Sequence, residues 1–139
     1  MPTLFSIAAG ADVSLVNGDL NFTIATSSAG QQPNSVVNED CLLTWSTQPA
    51  EASQKITIET DLLAQHFVVT VLATGVSAGD GTSAGTVTLG TTASNLIVGI
   101  PFVSAADPGS CTLHYTASAT AAEGTGTDNH RVTYTILDE

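Results

Sequence analysis

The chain is predicted to be all-β: a Greek-key β-sandwich, Ig-like or jelly-roll-like, of about eight or nine strands with one inter-strand disulfide. Three observations predict it. Apolar and polar residues alternate with period two in short segments along most of the chain, the pattern of half-buried strands. Clusters of Gly, Pro, Asn, Asp and Ser punctuate those segments, where Gly supplies positive φ and Pro fixes it. Sustained helical periodicity is almost absent, and only Thr60 to Gln65 suggests a single helical turn.

At the N-terminus, Thr3-Leu4-Phe5-Ser6-Ile7-Ala8-Ala9 is apolar, whereas exposed termini are usually polar and frayed. Leaving Leu4, Phe5 and Ile7 in water costs about 1.5–3 kcal/mol per side chain relative to burial. This segment is therefore expected to be covered. It either forms an ordinary first strand of its own domain or, hinged at Gly10-Ala11, serves as a donor strand that completes a second copy's sheet. The organisation that follows is residues 1–10 as strand and hinge, and residues 11–139 as a single sandwich domain.

The later strands are read in order. Leu20 to Ile24 alternates cleanly. Cys41, Leu43 and Trp45 share one phase, and Ile56 and Ile58 point inward from a short strand. Phe67, Val69, Val71 and Ala73 form the core face of the next segment, and Gly85 to Leu89 alternates again. Asn95 to Ile100 is a continuous apolar run suited to a strand covered on both faces. Cys111, Leu113, Tyr115, Ala117 and Ala119 line one face of the strongest strand, opposite Thr112, His114, Thr116 and Ser118. Val132, Tyr134 and Ile136 face inward from the last strand, and residues 121–128 read as a hairpin loop joining these two.

Cys41 and Cys111 both fall on inward phases. A bond between them is expected to close a loop of about 70 residues and stabilise by about 4 kcal/mol, which places the protein outside the reducing cytosol. The alternative is two buried thiols. Met1-Pro2-Thr3 opens with no basic or long apolar leader, so the chain reads as a mature, secreted protein with an added Met, the alternative being a protein that reaches its destination by assembly or lysis, as a virion protein does.

Charge narrows the partners. Thirteen Asp and Glu stand against Lys55 and Arg131, a formal charge of −11. Nucleic acid binding needs clustered cations, and so does docking on an anionic leaflet. No stretch is long and apolar enough for a membrane helix. The polar surface is built mainly from Thr, Ser, Asn and Gln.

No catalytic constellation stands out. The carboxylate pairs Glu39-Asp40, Glu59-Asp61 and Asp138-Glu139 sit at strand ends or the terminus, whereas acid–base work needs one desolvated member. His114 and the segment Asp128-Asn129-His130 are candidate cross-strand neighbours across the expected hairpin. Asp80, Asp107 and Asp128 lie in expected loops and are the candidate ligands for Ca²⁺, which takes six to eight oxygens; the full calcium-loop motif is missing. No other cofactor is expected. Threonine rows admit carbohydrate, but six of the seven aromatics other than Phe102 are needed for the core or the terminal strand.

The segments Cys41 to Thr47, Lys55 to Ile58, Cys111 to Thr120 and Val132 to Ile136 resemble the secreted β-sandwich subunits of bacterial and archaeal surface fibres, the donor-strand pilins and biofilm-matrix fibre proteins. The resemblance implies export, exchange of the N-terminal strand and no catalysis. The expected function is an extracellular or cell-surface structural subunit that binds copies of itself into a filament or layer. The alternatives are a monomeric adhesion or carbohydrate-binding module, with or without stabilising calcium, and a viral capsid or decoration protein.

Overall fold

The computed structural model describes residues 3–6 as backbone and residues 11–18, 20–49 and 53–139 in full. These residues contain strands and turns and no helix. In chain order the strands are β1 (Thr3–Ser6), β2 (Asp12–Val16), β3 (Leu20–Ile24), β4 (Val36–Ser46), β5 (Gln54–Thr60) and β6 (Val68–Thr74). They continue as β7 (Thr82–Ser83), β8 (Val87–Thr88), β9 (Ser94–Ile100), β10 (Gly109–Ser118), β11 (Gly126–His130) and β12 (Val132–Asp138).

Seven of the strands match segments marked by alternation, because a period of two is what a half-buried strand writes into its sequence, and β1 and β9 match the two apolar runs. On β10 the inward residues Cys111, Leu113, Tyr115 and Ala117 are buried while Thr112, His114 and Thr116 remain half-exposed. The same alternation buries Cys41, Leu43 and Trp45 on β4 and Val132, Tyr134 and Ile136 on β12.

The strands pair as one sheet in the order β1-β12-β5-β9-β7, a second in the order β2-β4-β10-β6-β8, and a two-stranded ribbon of β3 and β11. Every pairing is antiparallel except that of β1 with β12. No two consecutive strands pair with each other, so each connection leaves one sheet and enters another. Inward residues of both sheets and of the ribbon contribute to a single apolar cluster. The hydroxyls of Tyr115 on β10 and Tyr134 on β12, each from a different sheet, hydrogen-bond to one another inside it.

Four expectations are corrected. The first concerns the cysteines, which are buried free thiols. They lie on neighbouring strands of one sheet, where Cys41 is paired with Leu113 and Cys111 with Leu43. That makes them diagonal neighbours at about 7–8 Å between α-carbons, beyond the usual disulfide span of about 4.4–6.8 Å. Second, residues 121–128 are no hairpin loop. Strand β11 occupies residues 126–130 and pairs with β3, while β10 and β12 belong to different sheets. Third, residues 61–67 form bends and no helical turn. Fourth, twelve strands stand among the described residues where about eight or nine were expected: β2 carries only a brief alternation at Val13 and Leu15, and β7 has two residues.

Candidate functional site

The expected donor segment begins as β1. Its residues Thr3, Leu4, Phe5 and Ser6 pair in parallel with Thr133, Tyr134, Thr135 and Ile136. Ile7, Ala8 and Ala9 lie outside the described residues. Strand β1 forms the edge of its sheet, with β12 as its one neighbour. Beneath it, β12 buries Val132, Tyr134 and Ile136 completely, and its far side is tied to β5 by a seven-residue ladder from Val132↔Thr60 to Asp138↔Gln54. The acceptor strand is thus anchored independently of β1. Its C-terminal end is pinned by side chains as well: Gln54 donates to Asp138 Oδ1 at 3.0 Å, and Ser53 donates to Glu139 Oε2 at 2.9 Å.

A buried polar cluster stands just before β12. Asp128 is 5% exposed. Its Oδ2 accepts the backbone N–H groups of His66 and Phe67, each at 2.9 Å, and its Oδ1 lies 3.2 Å from the His66 nitrogen. The His130 side chain is wholly buried. Its Nδ1 is 3.0 Å from Thr60 Oγ1, which also accepts the Leu62 N–H at 3.3 Å. Among the described residues its Nε2 has no hydrogen-bond partner, and it lies 3.9 Å from Asp128 Oδ2. Burial lowers the pKa of His130, and the nearby Asp128 and Asp61 oppose that shift only in part. Thr60, His130 and Asp128 superficially resemble a nucleophile, a base and an orienting acid. Thr60 is 3% exposed, however, and the His130–Asp128 separation exceeds hydrogen-bonding range. The cluster instead clamps the segment 61–67 against β11.

The other candidates do not converge. Asp80 sits in the turn after β6, where its carboxylate accepts from Ser77 Oγ and its carbonyl accepts Trp45 Nε1–H at 3.1 Å. Asp107 closes an exposed turn with Ser104 at 3.1 Å. Asp128 is buried on a strand and committed to two amides. No group of three metal-ligating side chains occurs among the described residues.

His114 does not meet residues 128–130. It pairs with Leu72 on β6, and its ring bonds Glu39 at an irregularity in the β4–β10 pairing where two β4 residues, Glu39 and Asp40, oppose the single β10 residue His114. Burial pushes the Cys41 thiol up to about 11 and the Cys111 thiol to about 12. Both are protonated at neutral pH and poor nucleophiles.

Two of the surface grooves are lined by described residues and bear on ligand binding. One of about 210 Å³ is bordered by Asp12, Ser14, Thr44, Trp45 and Pro108. Another of about 340 Å³ is bordered by Glu59, Asp61, Leu63, Thr91 and Thr133. Trp45 is 2% exposed, so the first groove lacks the open aromatic platform a sugar ring stacks on. Compared with protein-family profiles, with curated proteins and with solved structures, the chain matches none.

Proposed function

We propose that this chain is an extracellular or cell-surface structural subunit that polymerises into a filament or layer by handing its N-terminal strand, residues 3–9, to the β12 edge of the next copy. In this reading the two sheets face one another as a Greek-key, jelly-roll-like sandwich, and the protein carries no catalysis. The observation that carries the proposal is the β1–β12 ladder. A four-residue strand at a sheet edge, held by one neighbour, is the element whose exchange disturbs least.

The acceptor contacts are the same whether β1 comes from its own chain or from another, so the self-complemented form is the resting state of the same device. Which state prevails depends on protein concentration and on how β1, in one sheet, is connected to β2, in the other. A contact passed from copy to copy in one direction does not close on itself and extends indefinitely. The free thiols remove the mechanical cross-link expected of such a subunit; the Tyr115–Tyr134 contact and the shared core take that role.

The test is removal of residues 1–9. The full chain is expected to form concentration-dependent oligomers, visible as filaments by negative-stain microscopy and as a ladder in sedimentation. The truncated chain is expected to remain monomeric and to bind a synthetic peptide of residues 1–9 with saturation. Oligomers that persist after truncation, or a full chain that stays monomeric across the accessible concentration range, would overturn the proposal.

A further inference from the structure

Asp128 and His130 hold separate pieces of chain from adjacent positions on one strand. Asp128 holds the amides of His66 and Phe67, and His130 holds the hydroxyl of Thr60. Their mutual gap of 3.9 Å leaves His130 Nε2 buried and without a hydrogen bond among the described residues. A polar nitrogen kept dry beside a carboxylate it does not touch is an unused contact, and one proton would turn it into a strong one.

We propose that the pair is an acid-released latch: protonation of His130 draws the Asp128 carboxylate onto Nε2 and off the two amides, freeing residues 61–67 from β11. The geometry sets the size of the movement. A charge-assisted N–H···O bond closes to about 2.7–2.9 Å, so the carboxylate must shift by about 1 Å. A shift of that size away from the amides takes its 2.9 Å bonds to His66 and Phe67 to about 3.9 Å, beyond useful range. The freed segment also loosens the approach to β12, because the Asp61 N–H bonds the Arg131 carbonyl at 3.2 Å.

The charged and titratable groups around His130 are few. Asp128 shares its strand. Asp61 approaches from beyond β5, itself 3.8 Å from Arg131, with both side chains largely exposed. His66 contributes its amide to Asp128, and β3, which carries no ionisable side chain, sets Leu20 opposite His130 and the Phe22 ring edge-on at 6.2 Å. The direction follows from burial. The closed form holds His130 neutral, with its pKa below the ordinary imidazole value of about 6.5. The open form therefore binds the proton more readily. Closure is fully favoured above about pH 6.5 and weakens as pH falls toward the lower value of the closed state. This inference is independent of strand exchange.

Amide hydrogen exchange of the full chain tests it, read residue by residue as protection factors between pH 7.5 and 5, with the His130 ring proton followed by NMR. Protection at His66 and Phe67 is expected to fall about tenfold or more over that range, in step with His130 titration. The Thr47 amide, bonded to Val103 on the other side of the fold, is expected to hold. In His130→Gln, which keeps a hydrogen-bonding side chain and cannot titrate there, the fall should vanish. Asp128→Asn should lower protection of both amides at every pH and flatten the dependence. Protection that survives His130 protonation in the wild-type chain, or that falls equally at Thr47, would overturn the latch.

Discussion

Gly109 carries a requirement visible at the scale of one atom. A β-carbon built there would stand 2.5 Å from both Cε2 and Nε1 of Trp45. That indole is almost fully buried and committed through Nε1–H to the Asp80 carbonyl. Neither the ring nor the backbone it bonds can retreat cheaply, so Gly109→Ala is expected to destabilise by about 2–3 kcal/mol through overpacking and a broken hydrogen bond. Urea unfolding should show a lower midpoint with an unchanged slope; a shift under about 0.5 kcal/mol would mean that the indole relocates freely. The same physics explains why Cys41 and Cys111 stay reduced side by side. Both fill inward positions on neighbouring strands, and the pleat fixes their separation.

Among elements, the junction of β4 with the chain after β9 is held by one side chain. Thr47 is 3% exposed, donates its hydroxyl to the Pro101 carbonyl at 2.9 Å and accepts the Val103 N–H at 2.8 Å. Its own N–H adds a bond to the Val103 carbonyl at 2.8 Å. This brace stands in for a hairpin where no two consecutive strands pair. Thr47→Val keeps the shape but strands a buried N–H and a carbonyl, and is expected to cost about 1–3 kcal/mol in urea unfolding. Thr47→Ser should retain most of the stability; equal losses in the two variants would argue for packing over hydrogen bonding. Strand β1 is the opposite case, an edge element braced from one side only.

Taken whole, the molecule is a −11 particle. Its ion pairs do little against that charge, since Arg131–Asp61 is exposed on both sides and His114–Glu39 depends on protonation. Self-repulsion should therefore destabilise the compact state at low ionic strength. Raising NaCl from about 10 mM to about 150 mM shortens the screening length from about 30 Å to about 8 Å. The melting temperature at pH 7.5 is expected to rise by about 2–5 °C, as about 1 kcal/mol of relieved repulsion would produce in a domain of this size. Calorimetry at the two salt levels checks this, and a falling melting temperature would show that attractive pairs dominate. Assembly of such particles should depend on salt in the same direction.

What the residues determine by themselves is local and periodic. Alternation marked β10, β12, the inner face of β4 and the Ile56–Ile58 face, because each strand must bury one face whatever its partners are. Turn residues marked most of the breaks. Partnership was illegible, because pairing between strands far apart in sequence leaves no trace at either one. Only the tertiary structure paired β11 with β3, split β10 from β12, placed the cysteines diagonally within one sheet and set β1 on the edge of β12. The Asp128–His130 cluster was hidden for the same reason: a segment as polar as Gly-Thr-Asp-Asn-His reads as loop until a neighbour's amides supply the partners that let its carboxylate be buried.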